Sequence, residues 1–349
     1  MRIVVTGASG NVGSALLRRL RLDGEHEVVG VARRVPAGVV DGVRWVSVDL
    51  AEPGSRGRLC QAFAGADAVV HLAWAFQPSH QVGYLESVGV GGSQRVLQAS
   101  AVADVAHVVH VSSVGAYSPK RDDRAVDESW PVDGVPTSSY SRHKAAVERL
   151  LDGYDGPPVA RLRPGIAGQA SAGSALLRYG LPVVVPAKMV GALPALPMPA
   201  GLTIAMVHAD DLADAIVRVL ERRAEGAFNL AAPTPVTAPM IAEVLGARWV
   251  DTPAGLARGA LALSWHARLQ PLAPGWFDLA CGVPALDSSR AVDELGWSPK
   301  TDAVSVLREL VEGMSRAGAG DTAVLRERSV RSELADLFRH GPVSHRVRP

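Results

Sequence analysis

The chain has 349 residues, with 36 Lys and Arg against 35 Asp and Glu, for a formal net charge of +1. That length can bury a large core, as one big domain or two closely joined ones, and the balanced charge gives no basic field for nucleic acid. No apolar run suits a membrane span, because Leu181 to Met206 is broken by prolines, and Cys60 and Cys281 lack the spacing of a disulfide framework or metal site. The start, MRIVVTG, is too short for a secretory core, so a cytoplasmic, reducing compartment is expected.

In chain order, IVVTG (3–7) is a β-branched run ending in glycine, followed by helical spacing in SALLRRLRL (14–22). HEVVGVAR (26–33) and VRWVSVDL (43–50) read as strands, RLCQAFAG (58–65) as a helix and DAVVHLAW (67–74) as a fourth strand. GSQRVLQASAVA (92–103) is a further helix, and HVVHVSSVGAY (107–117) a further strand. Nearly continuous Val and Ile strands separated by helices predict an α/β fold, a doubly wound Rossmann-type parallel sheet covered on both faces.

Residues 1–164 form the expected dinucleotide-binding domain, with 207–231 returning to it. There VHADDLADAIVRVLE (207–221) is a helix, with Asp210 and Asp211 where the dipole favours acids, and GAFNLA (226–231) a strand. Residues 165–205 are rich in Gly, Pro and Leu. Segments 165–206 and 232–316 are expected to make a smaller, mostly helical C-terminal substrate lobe. AGAG (317–320) reads as a linker to a charged tail, 317–349, in which Val330, Leu334, Leu337 and Phe338 recur at the spacing of an amphipathic helix.

TGASGNVG (6–13) lies between the first strand and first helix, the context a dinucleotide turn requires. Gly7 would permit the tight turn, Gly10 the approach of a pyrophosphate, and Gly13 helix–sheet packing, with Ser9, Asn11 and Val12 beside the phosphates. The second strand ends in Arg33 and Arg34, with no carboxylate to hold a ribose 2′-hydroxyl. An arginine fork suits a 2′-phosphate, which favours NADP(H) over NAD(H); the plain alternative is two solvated arginines. Tyr140 and Lys144, in TSSYSRHK (137–144), would share one helix face, a spacing that alone marks nothing more than helix surface.

Taken in order, TGASGNVG (6–13), VDL (48–50), HLAW (71–74), VSSVGAY (111–117), YSRHK (140–144), RLRPG (161–165), VHADDLADAI (207–216), FNLA (228–231) and LGWSP (295–299) carry a resemblance that runs from Met1 to about Met314. The chain resembles the extended short-chain dehydrogenases/reductases, the NAD(P)-dependent epimerase/dehydratase-like branch. The resemblance implies Ser113, Tyr140 and Lys144 as catalytic residues. It places Asp49 and Leu50 at the adenine, Leu72, Ala73 and Trp74 beside the cofactor, and Pro164 and Ile166 at the nicotinamide, with Tyr140 and Lys144 also in contact. A phenol of ordinary pKa, about 10, is a poor acid–base catalyst at neutral pH. A fixed ammonium one turn away and a cationic nicotinamide would lower it. The family often dimerises through the helix bearing Tyr140 and the one before the Ser113 strand, so a homodimer is expected, with VERLL (147–151) supplying apolar surface.

The chain departs from the family at three places. Gly89, in GVGGS (89–93), replaces a common asparagine, which puts in doubt any relay or helix irregularity that depends on that side chain. Ser118 stands where nucleotide-sugar epimerases usually carry glycine. Val114 and Gly115 replace the acidic pair of sugar 4,6-dehydratases, which excludes dehydration by that route.

Between Ala167 and Thr203 the only cations are Arg178 and Lys188, a poor supply for a sugar diphosphate. Trp74, Phe76, Ser113, Met189 and Met206 are the expected substrate pocket, with Met198, Trp265 and Trp276 as further apolar candidates. The same residues would equally serve as lobe core. His71 and His110 read as strand core, His143 as surface or interface, and His208 as a structural anchor; no metal site is expected. The expected activity is an NADP-dependent ketoreductase or alcohol dehydrogenase on an uncharged, largely apolar small molecule, with Tyr140 as general acid/base. The alternatives are a nucleotide-sugar epimerase that recycles its cofactor and, more weakly, a non-catalytic NADP sensor.

Overall fold

The computed structural model describes residues 1–36, 42–75, 81–180, 187, 190–267, 269–270 and 272–328. The chain opens with β1 (Arg2–Thr6), α1 (Asn11–Asp23), β2 (Glu27–Ala32), β3 (Val43–Ser47), α2 (Ser55–Phe63) and β4 (Ala68–His71). It continues through α3 (Val82–Glu86), a π-turn (Ser87–Gly91), α4 (Gly92–Val102), β5 (His107–Val111), a 3₁₀ turn (Val114–Ala116), α5 (Ser139–Asp152) and β6 (Val159–Pro164). These strands pair in parallel in the order β3-β2-β1-β4-β5-β6, and β11 (Gly226–Leu230) completes a seven-stranded sheet beside β6. Strand order reverses between β1 and β4, and a crevice at that switch point is where open α/β sheets bind ligands.

Successive side chains of β1 serve opposite layers. Ile3 and Val5 pack with Leu16 and Leu20 of α1 and with Leu212 and Ile216 of α7 (Ala209–Arg222). Val4 packs the other way, with Leu59, Phe63 and Val96. Helix starts are fixed locally: Ser138 accepts from the Ser141 N–H at the head of α5, and His208 accepts from the Asp210 N–H at the head of α7. LGWSP (295–299) supplies the largest fully buried side chain, Trp297, whose Nε1 donates to the Asp211 carbonyl at 2.8 Å.

The smaller lobe is built from short pairings. β7 (Ile166–Gly168) pairs in parallel with β10 (Met206–His208), β8 (Ala195–Met198) with β13 (Arg248–Asp251), and β9 (Thr203–Ile204) antiparallel with β12 (Val236–Thr237). Its helices are α6 (Gly173–Gly180), α8 (Ala238–Val244), α9 (Ala254–His266), α10 (Pro274–Gly282), α11 (Ser289–Leu295) and α12 (Ala303–Ser315). Among the described residues no helix is long and apolar enough to cross a membrane.

Three expectations need correction. Residues 317–320 are not a free linker: the Ser174 N–H donates to the Gly318 carbonyl at 2.8 Å, the Gly318 N–H reaches Gly313, and Leu325 is buried beyond them. His143 is buried rather than exposed. VERLL offers little dimer surface, because Val147 and Leu151 close a core with Leu97 and Val108 inside the subunit. The predicted helix with Val330, Leu334, Leu337 and Phe338 lies outside the described residues.

Replacing Trp297 by Ala should lower stability by about 3–5 kcal/mol, because it leaves a cavity where the largest buried side chain stood. Urea unfolding of the two chains measures it.

Candidate active site

The turn after β1 is shaped by close backbone approach. Gly7 has φ +73°, and a Cβ there would stand 2.6 Å from the Ala73 nitrogen. A Cβ on Gly13 would meet the Gly7 carbonyl oxygen at 2.4 Å, so side chains are barred from both places. Gly10 caps α1 without a side-chain hydrogen bond, and no acid occupies the first turn of this 13-residue helix. The N–H groups from Asn11 onward therefore face a bare glycine cradle, which fits the pyrophosphate of a dinucleotide. Ser9 is buried beside it, and the Asn11 side chain donates to the Ala167 carbonyl at 2.8 Å, tying the turn to β7. Arg33 follows β2 and donates to the Tyr84 hydroxyl, while the Asp49 carboxylate accepts from the Ala51 N–H and Leu50 is buried next to it. Val12 packs on the main core, as does Leu72.

At the end of β5 the backbone leaves the sheet. Ser113 caps the 3₁₀ turn, its hydroxyl accepting from the Gly115 N–H at 3.0 Å, and it is hydrogen-bonded to the Tyr140 phenol. Tyr140 and Lys144 rise from α5. The Tyr140 ring is flanked by Trp74, edge-on at 6.1 Å, and by Trp276 of α10 at 5.1 Å between centroids. Gly275 makes that second contact possible, since a Cβ there would lie 2.4 Å from the Thr137 carbonyl oxygen. Lys144 donates to the Val111 carbonyl at 3.0 Å and holds its ammonium 3.7 Å from the centre of the Trp74 ring. The structure thus brings Trp74, Ser113, Tyr140 and Lys144 together.

Burial governs the titration of this group. It pushes the Tyr140 phenol up to about 12, against the opposing hydrogen bond from Ser113. It pulls the Lys144 ammonium down to about 7, against the attraction of Glu148. The expectation of an acidified tyrosine is therefore corrected for the chain by itself: Lys144 is not among the influences on the phenol, which stays protonated at neutral pH.

Beneath the site lies a buried polar network that sequence reasoning missed. Glu148, one turn beyond Lys144, accepts from Ser112 Oγ at 2.6 Å and from Arg163 Nε and Nη2 at 3.0 and 2.8 Å. Arg163 Nη1 continues to the Tyr117 hydroxyl at 3.0 Å, which donates to Asn229 Oδ1 at 2.7 Å. Burial pushes the Glu148 carboxyl up, but Arg163, Ser112 and Arg161 overcome it and hold the group below its ordinary range. The signals were present: Glu148 is an acid at the i+4 position from Lys144, Arg163 sits in RLRPG and Asn229 in FNLA.

Other expected residues fall elsewhere. Pro164 ends β6 and Ile166, exposed, begins β7. Met206 is not a pocket residue: it is buried against Val306 and Leu310 of α12, away from the apolar cluster that holds Tyr140 and Trp276. Phe76 and Met189 lie outside the described residues. Arg34 follows Arg33 at the rim. His71 bridges Thr6 and Ser93 at 2.6 and 3.0 Å and burial brings it to about 3, as fits strand core. Among the described residues no group of three His, Cys, Asp or Glu could hold a metal ion.

A glycine cradle at the switch point, with a serine, tyrosine and lysine converging beyond it, is an arrangement that fits a dinucleotide-binding protein of the doubly wound class. Residues 3–158 match the model of the NAD dependent epimerase/dehydratase family. The extended short-chain dehydrogenase/reductase resemblance read from the sequence is borne out. An uncharacterized protein of Mycobacterium tuberculosis is 27% identical over 326 residues, covering 92% of this chain and 31% of the relative. The chain thus spans about a third of the length of the first curated relatives it matches. The 2'-dehydrokanamycin reductase of Streptomyces kanamyceticus is 32% identical over 151 residues, 43% of this chain and 38% of that one. Among solved structures, the UDP-glucose 4-epimerase of Thermus thermophilus in complex with NAD shares the fold, with a TM-score of 0.66 at 22% identity, covering 90% of this chain and 99% of that one.

Glu148→Gln should lower stability at pH 7 by about 3–5 kcal/mol, because it leaves Arg163 buried beside a neutral amide. The folded carboxyl titrates below its unfolded value of about 4.3, so the pair contributes in full above that pH and is lost as pH falls through the folded value. Urea unfolding between pH 7 and pH 3 should show a flatter acid limb in the variant.

Proposed function

We propose that the chain is an NADP(H)-dependent ketoreductase or secondary-alcohol dehydrogenase acting on an uncharged, largely apolar carbonyl compound. The observation that carries this reading is the half-buried Tyr140 side chain, its phenol hydrogen-bonded to Ser113 and its ring flanked by Trp74 and Trp276. Ser113 is placed to donate a hydrogen bond to a carbonyl oxygen, and Tyr140 to deliver the proton as negative charge develops there. When bound, the nicotinamide supplies the hydride. A phenol that stays protonated at neutral pH suits the reducing direction, and Lys144 offers a cation close to the phenolate that remains.

The lobe supports an apolar substrate. Arg178 of α6, one of the two cations between Ala167 and Thr203, donates to the Val324 and Arg326 carbonyls, both at 2.5 Å, and is engaged within the chain. The apolar cluster around Tyr140 includes Val114, Val135, Leu279 and Trp276. A relative named as a reductase, the 2'-dehydrokanamycin reductase above, agrees in reaction type. The preference for NADP(H) rests on Arg33 and Arg34 at the end of β2, where no carboxylate competes for the ribose.

Tyr140→Phe should reduce kcat for NADPH-dependent reduction of a carbonyl panel by at least about a hundredfold. Its NADPH affinity, followed by fluorescence, should stay unchanged; turnover equal to the unsubstituted chain rejects the mechanism. A nicotinamide retained through gel filtration, without net consumption of added cofactor, points instead to an epimerase. Arg33→Ser should raise KM for NADPH about ten- to hundredfold while leaving that for NADH nearly level, and equal effects on both would reject the 2′-phosphate assignment.

A further inference from the structure

Lys144 is an amine on four flexible carbons, and it is 3% exposed. Such a group needs something to hold its charge. The one carboxylate that attracts it, Glu148, is not in direct contact with it. Among the described residues no salt bridge joins Lys144 to a carboxylate: Glu148, one turn along α5, is paired with Arg163 and Arg161. His71 on β4 and His110 on β5 face it from the sheet, and burial keeps both imidazoles neutral at physiological pH. Tyr140 stands one turn before it as a neutral phenol. The Val111 carbonyl accepts one of its protons at 3.0 Å. What remains is the face of Trp74, 3.7 Å away, whose negative quadrupole attracts a cation.

The indole reaches that position because residue 89 has no side chain. Gly89 is buried in the π-turn Ser87–Gly91. A Cβ there would lie 3.0 Å from Trp74 Cη2 and Cζ2 and 3.3 Å from Cε2, closer than side chains ordinarily pack. The backbone cannot readily retreat. Ser93 Oγ donates to the Gly89 carbonyl at 2.7 Å, and Ser93 is itself held by His71 at 3.0 Å. With the turn fixed, a Cβ at 89 already requires the ring to give by a few tenths of an ångström, and a longer side chain there requires more. The irregular turn expected to depend on an asparagine is therefore kept without one, and its space is filled from the segment after β4.

We propose that Trp74 is a positioning residue of the proton-transfer site: its indole, seated in the room left by Gly89, clamps the Lys144 ammonium against the Val111 carbonyl and shields it from water. The inference rests on the reading of Tyr140 and Lys144 as the acid–base pair, and it adds to that reading a residue whose bulk is matched to one glycine. Both partners of the match are needed. Shrinking Trp74 opens Lys144 to solvent, and enlarging Gly89 displaces the ring.

The chain has only four lysines, Lys120, Lys144, Lys188 and Lys300, so ¹³Cε-lysine labelling of the full chain gives four resonances that can be followed with pH by NMR. Lys144 should titrate near 7 in the unsubstituted chain and in Trp74→Phe, which keeps an aromatic face. In Trp74→Ala and in Gly89→Asn its midpoint should rise by about one pH unit or more, because burial is the larger influence on the amine and its hydration outweighs the lost attraction of the indole face. Carbonyl reduction should fall about tenfold or more in kcat in both variants at saturating NADPH, and Trp74→Phe should recover most of it. Gly89→Asn should cost little further in a Trp74→Ala background, since the ring it displaces is already gone. An unmoved Lys144 midpoint in Trp74→Ala, or fully additive losses in the double variant, overturns the proposal. If instead the assigned reaction is wrong, none of the chains reduces the carbonyl panel, yet the Lys144 midpoint still moves with Trp74.

Discussion

Glu148 and Arg163 form an ion pair from which water is excluded, and that pair ties α5 to β6 beneath Ser113, Tyr140 and Lys144. A buried carboxylate and guanidinium are costly to desolvate, and they persist only when their remaining lone pairs and protons are satisfied. Here the satisfaction comes from separate elements: Ser112 at the end of β5, Tyr117 beyond the 3₁₀ turn, and the Glu128 carbonyl before α5. Asn229 of β11 extends the set, joining Tyr117 to the Val126 and Asp287 carbonyls. Glu148 lies one turn from Lys144 and Ser112 is adjacent to Ser113. The network thus fixes α5 against β5 at the level where Ser113, Tyr140 and Lys144 must converge. A shift of either element would break several buried hydrogen bonds together, which makes the constraint stiff.

Above that foundation the site is notable for how little charge it holds. Burial raises the tyrosine and lowers the lysine, so both are driven toward their neutral forms. A site of this kind amplifies whatever charge enters it, because the surrounding dielectric is low and the local dipoles are already oriented. Trp74 and Trp276 cover two sides of the half-buried Tyr140 ring. They leave the Ser113 and Tyr140 hydroxyls to answer a developing oxyanion.

Much of this was legible in the sequence. Six of the seven strands of the main sheet are strong periodic signals that appear within a few residues of where the pattern put them, whereas β6 was marked only by the RLRPG motif. The glycine cradle and the convergence of Ser113, Tyr140 and Lys144 follow from motifs whose spacing is imposed by the sheet. What was not legible depends on long-range packing. Val147 and Leu151 look like spare apolar surface in VERLL, but their partners Leu97 and Val108 lie tens of residues away. Met206 reads as a pocket methionine until β10 delivers it to α12. Trp276 emerged only as one of several apolar candidates, because nothing local says that α10 will cross the loop before α5. Gly89 looked like the loss of a functional side chain, and only the structure shows an indole occupying its place.

The segment after α12 illustrates how such packing joins parts that the sequence separates. Gly318 meets the Gly313 carbonyl and Ser174 of α6 backbone to backbone. Arg178 then grips the Val324 and Arg326 carbonyls, and Leu325 fills a core with Met206 and Val236. Thr322 donates to the Ser9 carbonyl at 2.7 Å, inside the turn that cradles phosphates. A stretch that resembles a linker in composition therefore connects α6 and the core under α12 to the glycine turn after β1. Because Leu325 is buried and Arg178 is spent on backbone carbonyls, freeing this stretch would expose apolar core and leave a guanidinium without those acceptors. The same contacts that stabilise the lobe thus also hold it against the dinucleotide turn, and the two halves of the cleft are set by one continuous hydrogen-bonded surface.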